Sequence, residues 1–170
     1  MTTRALRIFP DPVLRERCRE IDCFDENLSR LVDDLAESMY AHRGVGLAAP
    51  QIGESLRVMV VDVDQREGAP RLLEFVNPRI SAADEELEER EEGCLSFPGE
   101  AEMVRRPRRV TVQALDRRGQ PFEITAEGLL ATAMQHEIDH LDGKLFIDYL
   151  SRLRRSLVTR RMKKRSREGE

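Results

Sequence analysis

The apolar positions of this chain change period several times, and each change marks an element. Across residues 26–42, Leu28, Leu31, Val32, Leu35, Met39 and Tyr40 recur at three- and four-residue steps, which lays one apolar stripe along an α-helix. The stripe stops at Gly44 and Gly46. Beyond them, short apolar runs at residues 57–63, 72–77, 110–115 and 122–125 read as strands. Asp116-Arg-Arg-Gly119, between the last two, reads as a hairpin turn with glycine placed for a positive φ. Near the start, Pro10 and Asp11 open a stretch with Val13, Leu14 and Cys18 that suits a short helix whose first turn tolerates Pro12.

Helical spacing returns at residues 129–142, where Leu130, Met134, Ile138 and Leu141 form one stripe and Ala133, His136 and His140 another. A helix with two faces to bury is a central helix. Residues 146–164 predict a final helix with Leu150, Leu153, Leu157 and Val158 on its inner side. The acidic run at residues 84–91 predicts a solvated face. There is no internal repeat, and the order of elements makes the fold class α+β.

With 170 residues the chain is sized for one domain, and 40% hydrophobic with 35% charged residues is a soluble globular composition. The apolar run 58–61 is far short of the roughly 20 residues that cross a bilayer, and the first ten residues lack the apolar core of a secretory signal. The expectation is a cytoplasmic protein without a membrane partner. Cys18, Cys23 and Cys94 are an odd count without a CxxC pair, which favours reduced thiols over a disulfide framework. The formal charge of −4 hides an asymmetry. Residues 151–170 hold nine Lys or Arg against two Glu, a net +7, which leaves −11 for residues 1–150. A basic tail on an acidic body suggests an anionic partner, with nucleic acid or the ribosome foremost.

Candidate chemistry centres on His136-Glu137-Ile138-Asp139-His140, an H-E-x-x-H pattern on a predicted helix. Residues four apart rise only about 6 Å on one helix face, so both imidazoles can close on one metal ion with Glu137 beside the open position. Cys94, in Glu92-Gly-Cys-Leu-Ser96, is the candidate third ligand, because coordination deprotonates a thiol and makes it a strong donor to zinc or ferrous iron. A Cys-His-His set leaves one tetrahedral position for water, the layout of a catalytic site. Residues 44–53 carry glycines but no following Lys-Ser or Lys-Thr, so a phosphate loop is excluded. Alone, that segment reads as a buried turn in which Gln51 offers an amide donor.

Together, Gly44-Val-Gly-Leu-Ala-Ala-Pro-Gln51, Glu92-Gly-Cys-Leu-Ser96 and Gln135-His-Glu-Ile-Asp-His140 resemble the three motifs of the peptide deformylase family, in that family's order. The likeness runs from Arg7-Ile-Phe-Pro-Asp-Pro-Val-Leu14 to Asp148-Tyr-Leu150. It implies an α+β fold with mixed or antiparallel sheets packed around a central metal-binding helix, followed by a C-terminal helix. Residues 1–150 would be the catalytic unit and 151–170 a basic helix of the same domain. The implied activity is hydrolytic removal of the formyl group from formyl-methionine at the start of nascent polypeptides. Cys94, His136 and His140 would hold the metal, ferrous iron in the cell with zinc or nickel as substitutes. Gln51 and the Leu95 N–H would stabilise the oxyanion, and Glu137 would move the proton from the attacking water to the departing amine. Val45, Gly46 and the Gly99 region would flank an extended substrate, and Ala133 would border the methionine pocket. Members of the family can also dock on the ribosome through a basic C-terminal helix; DNA is not an expected partner. The chain departs from the family at Glu100-Ala-Glu102, which bears on preference for residues after the methionine.

Two rival readings share parts of this pattern. A zinc peptidase would use the same helix with a downstream third ligand, for which only Asp142 or Asp148 offers itself, and it leaves Cys94 and Gln51 unexplained. A ribosome-binding protein with a structural metal site would need a fourth ligand, and the remaining histidine, His42, is expected at a solvent-exposed helix end.

Overall fold

The computed structural model describes residues 2–169. Its elements run α1 (Glu26–Ala41), β1 (Gly46–Ala48), β2 (Val58–Val61), β3 (Leu73–Ala83), β4 (Leu87–Gly93), β5 (Ala101–Pro107), β6 (Arg109–Leu115), β7 (Pro121–Glu127), α2 (Gly128–Leu141) and α3 (Arg152–Arg167). Short 3-10 turns lie at Pro12–Arg15, Ala49–Ile52, Gln65–Glu67 and Phe146–Tyr149. Five strands form one antiparallel sheet in the order β1-β2-β3-β6-β7, and β4 and β5 form a separate hairpin. This is the expected α+β arrangement, with every strand pairing antiparallel. Among the described residues no helix is long and apolar enough to cross a membrane.

The two long stripes read from the sequence pack as their spacing requires. Asp25 caps α1 by accepting the Leu28 N–H at 3.1 Å, and Leu28, Leu31, Val32, Leu35 and Met39 bury against Leu47, Val58 and Val60 of the sheet. On α2, Met134, Ile138 and Leu141 join Met59, Phe75, Val110 and Val112 in a second cluster. The opposite side of α2 buries His136, Glu137 and His140, so the helix is enclosed on two faces. A third cluster joins Phe9, Phe97, Phe146, Val158 and Met162. There the Phe97 ring stacks on Phe9 at 4.8 Å and meets Phe146 edge-on at 5.0 Å.

Several expectations are corrected. The predicted final helix over 146–164 is broken: a 3-10 turn ends at Tyr149, Leu150 is extended, and α3 restarts with Ser151 accepting the Arg154 N–H. The break resets the helical phase, so Leu153 is 71% and Leu157 40% exposed, while Val158 and Met162 face inward. Part of the glycine segment read as a turn is strand β1, which pairs with β2, followed by the 3-10 turn that carries Gln51. Strand β3 continues past residue 77 through bulges; Asn77 adopts φ 51° and its amide group bonds both the N–H and the carbonyl of Ile21 at 2.8 Å. Strand β5 escaped the pattern because its alternation is carried by charged residues. The acidic run is largely solvated, as expected, but residues from Leu87 onward form β4. The short helix near Val13 is a single 3-10 turn that buries Leu14 and stops before Cys18.

Helix α2 ends in a Schellman turn: the Gly143 N–H donates to His140 O and the Lys144 N–H to Asp139 O at 2.9 Å. Gly143 has φ +72°, and a Cβ there would lie 2.5 Å from the Arg15 carbonyl oxygen. Gly143→Ala is therefore expected to destabilise the protein by about 1 to 3 kcal/mol, seen as a fall in Tm of roughly 3 to 10 °C by calorimetry. An unchanged Tm would show that the turn accommodates a side chain without cost.

Candidate active site

Helix α2 and the loop after β4 bring their donors together although 42 or more residues separate them. The ligand atoms of Cys94, His136 and His140 all lie within 4.8 Å of one another, and Cys94 Sγ is 3.4 Å from His140 Nε2. Tetrahedral coordination at ordinary zinc distances would place such atoms about 3.3 to 3.7 Å apart, so the set fits a divalent transition metal. His140 Nδ1 and Glu137 Oε2 are buried with no hydrogen-bond partner among the described residues. Asp142 and Asp148, the third ligands a peptidase reading needs, stand outside the cluster and pair with Arg57 and Arg15 at 2.8 Å. His42 is exposed at the end of α1, as expected, and does not close the site.

A buried charge network orients the ligands. Glu92 Oε1 accepts from His136 Nδ1 at 2.9 Å, which leaves Nε2 free to coordinate a metal. The same carboxylate receives Arg106 Nε at 2.6 Å and Nη2 at 2.9 Å, while Arg106 Nη1 donates to Asp139 at 2.7 Å. Tyr149 completes the chain, with its hydroxyl donating to Asp139 at 2.8 Å and its ring 4.6 Å beneath the guanidinium. Burial alone would push Glu92 up, but its bonds to His136 and Arg106 hold it below the usual carboxylate range. Arg106, Asp139 and Tyr149 were not singled out from the sequence. Glu92 stands in a recognised motif directly after the acidic run of residues 84–91, and only strand β5, which the apolar pattern does not mark, reveals its partner.

Glu137 sits on the cleft side of α2, where burial pushes its carboxyl up to about 7. A Cβ on Gly46 would meet Glu137 Oε1 at 2.7 Å, so glycine in β1 is what admits the carboxylate. Gly44 serves Leu95 in the same way, since a Cβ there would lie 2.7 Å from the Leu95 side chain. Gln51 is buried, with Oε1 accepting the Ala48 N–H at 3.0 Å and Nε2 directed at Ser96 Oγ (3.2 Å) and Cys94 Sγ (3.6 Å). Its amide is thereby held with the donor end toward the sulfur. Burial and the neighbouring His136 push His140 down, which keeps it a neutral ligand.

Cys94, His136, Glu137 and Gln51 open on one cleft of about 560 Å³. Val45, Gly46, Gln51, Cys94, Leu95, Gly99, Ala133, His136 and Glu137 line it, and His140, outside the lining, keeps Nε2 3.4 Å from the Cys94 sulfur. The structure therefore brings every candidate residue to one place. It adds Ile8, Leu129 and Thr132 to the lining. No motif pointed to these three; Leu129 and Thr132 are near neighbours of Ala133 on α2.

Comparison with known proteins agrees with this geometry. Residues 3–156 match the family model described as polypeptide deformylase. The chain is 50% identical to a peptide deformylase of Azotobacter vinelandii over 94% of both chains, and 45% identical to one of Pseudomonas aeruginosa over 94% of both. Among solved structures, a peptide deformylase from Legionella pneumophila superposes with a TM-score of 0.91 at 48% identity, covering 99% of this chain and 98% of that one. The peptide deformylase of Ehrlichia chaffeensis in complex with actinonin gives 0.93 at 38% identity, covering 98% and 99%.

Replacing Glu92 by Gln keeps the shape but removes the charge that holds both His136 and Arg106. Zinc affinity measured by competition with a chromophoric chelator is expected to fall roughly 10- to 100-fold. Wild-type affinity in E92Q would show that the carboxylate does not orient the ligand.

Proposed function

The chain belongs to the polypeptide deformylase family, and from that premise we propose how its own residues remove the N-formyl group from nascent polypeptides. The observation that carries the reading is the convergence of Cys94, His136 and His140 with Glu137 and Gln51 in one cleft. A divalent metal held by the first three would supply Lewis acidity at the formyl carbonyl and lower the pKa of water. The residues around it do the rest. Glu137, buried and without a partner for Oε2 among the described residues, takes the proton of the attacking water as the C–O bond forms. It then delivers that proton to the nitrogen as the C–N bond breaks, releasing formate and a free amine. The Gln51 amide and the Leu95 N–H donate to the oxyanion that develops on the carbonyl oxygen.

Val45, Gly46 and Gly99 flank an extended peptide, and Ala133, with Leu129 and Ile8, offers apolar wall to the methionine side chain. A Cys-His-His set suits ferrous iron and zinc alike; the reading favours iron in the cell, with zinc or nickel as substitutes. It places the enzyme in the cytoplasm. Arg152, Arg155, Arg160, Lys163, Lys164 and Arg167 share one face of α3, which suits contact with ribosomal RNA phosphates.

Formate release from a formyl-Met tripeptide by anaerobically purified, metal-loaded protein is expected, and Glu137→Gln should lower kcat by roughly 10²- to 10⁴-fold while retaining its metal. Gln51→Ala should cost about 10²- to 10³-fold. Absence of formate release from the metal-loaded wild type would overturn the reading. Ribosome binding should weaken as salt rises, and alanine at Arg160, Lys163, Lys164 and Arg167 together should reduce that dependence; binding unchanged by these substitutions would remove the docking role.

A further inference from the structure

The basic residues of the C-terminal segment divide between two faces of α3. Six line its outer face, while Arg154, Arg161 and Arg165, at i, i+7 and i+11, turn toward the cleft loop. That loop follows Cys94, and its residues Phe97, Pro98, Gly99 and Glu100 form one wall of the cleft. Arg161 holds Glu100 with both arms of its guanidinium, Nε to Oε1 at 2.9 Å and Nη2 to Oε2 at 2.8 Å. Arg165 Nη1 lies 3.2 Å from Glu100 Oε1 and donates to the Pro98 carbonyl at 2.7 Å. Its guanidinium also covers Gly99, where φ is +78° and a Cβ would sit 3.6 Å from Nη1. Arg154 reaches Glu102 at 3.3 Å.

The Glu100 carboxylate is 5% exposed, although it lies at the rim of an open cleft. A buried carboxylate with two arginines is a built feature, because leaving it unpaired is costly while a bidentate pair fixes both position and angle. Within the loop itself the restraints are few: the Phe97 N–H bonds to Cys94 O and the Glu100 N–H to Phe97 O. The Phe97 ring anchors one end in the aromatic cluster with Val158 and Met162 of α3 beneath it. Gly99 and Glu100 have no such anchor. Arg161 and Arg165 lie outside the span that the family model matches, which ends at residue 156.

We propose that Glu100, clamped by Arg161 and Arg165, is a positioning residue that sets the cleft wall at residues 98–100 and thereby the affinity for peptide residues following the formyl-methionine. The inference rests on the deformylase reading of the cleft. An extended peptide binds through main-chain hydrogen bonds to a fixed edge, and ordering a loose edge on binding would subtract from affinity. The reacting carbonyl meets a different set, Glu137, Gln51 and Leu95, so the clamp governs KM and leaves kcat alone.

The test compares formyl-Met amide with a formyl-Met tetrapeptide in wild type, Arg161→Ala/Arg165→Ala, and the control Arg30→Ala/Arg118→Ala, which removes two exposed cations away from the cleft. The clamp variant should raise KM for the tetrapeptide roughly three- to tenfold, with kcat within about twofold and little change for the amide. The control should match wild type. Hydrogen exchange at the Phe97 and Glu100 amides should quicken in the clamp variant, and the charge exchange Glu100→Arg/Arg161→Glu should recover part of the lost affinity. An active wild type with unchanged KM and exchange in the clamp variant overturns the clamp alone. An equal change for both substrates overturns it in favour of general destabilisation. A metal-loaded wild type that releases no formate overturns the deformylase reading, and the clamp with it.

Discussion

The buried carboxylate of Glu92 is the interaction on which the rest of the site depends. It is the last residue but one of strand β4, two residues before Cys94, and it accepts from both His136 on α2 and Arg106 on β5. One side chain thus ties the strand that leads into Cys94 to the imidazole of His136 on α2. Arg106 keeps Glu92 ionised in a place where burial opposes charge, and Asp139 with Tyr149 restrains Arg106 in turn. Removing one partner of such a pair costs about 3 to 5 kcal/mol, because the other charge is left buried alone. The hairpin β4–β5 therefore belongs to the metal centre as much as α2 does, although it lies outside the main sheet.

Packing serves the same end. Two faces of α2 are buried for different reasons, one against the sheet by hydrophobic burial and one around the metal-capable histidines by charge and hydrogen bonding. Beside it, β1 has to pass close enough for a carboxylate to fit between strand and helix, and only Gly46 leaves that space. Gln51 follows on a 3-10 turn whose backbone holds the amide oxygen, so its donor end is oriented before any substrate arrives. In the proposed reaction such a preorganised donor would contribute because it need not reorient as charge develops.

The C-terminal helix joins the cleft from the opposite side. Val158 and Met162 settle into the aromatic cluster, and this contact decides which arginines turn toward Glu100 and which face solvent. A charge of +7 in the last twenty residues looks uniform in one dimension; helical geometry divides it into an inward grip and an outward basic face.

How much was legible follows from the range of each interaction. Helices α1 and α2, strands β2, β6 and β7, and the turn at Asp116–Gly119 answer to local periodicity, and the ligand trio with Glu137 and Gln51 answers to motifs whose residue types restrict the chemistry. Strand β5 places charged Glu102 and Arg106 on its inner face beside Val104 and exposes Met103, and the final helix starts only after Leu150, so neither that strand nor the inner face of α3 followed from apolar spacing. The partners of Glu92 and Glu100 were out of reach for a further reason. Arg106 and Arg161 are 14 and 61 residues away, and nothing in the local sequence says that Glu92 and Glu100, among so many glutamates, will be the buried ones. Residue types thus determined by themselves that the chain holds a metal-capable hydrolytic site on a central helix. Tertiary structure decided which charges leave water, because that depends on which strands and helices come to lie against them.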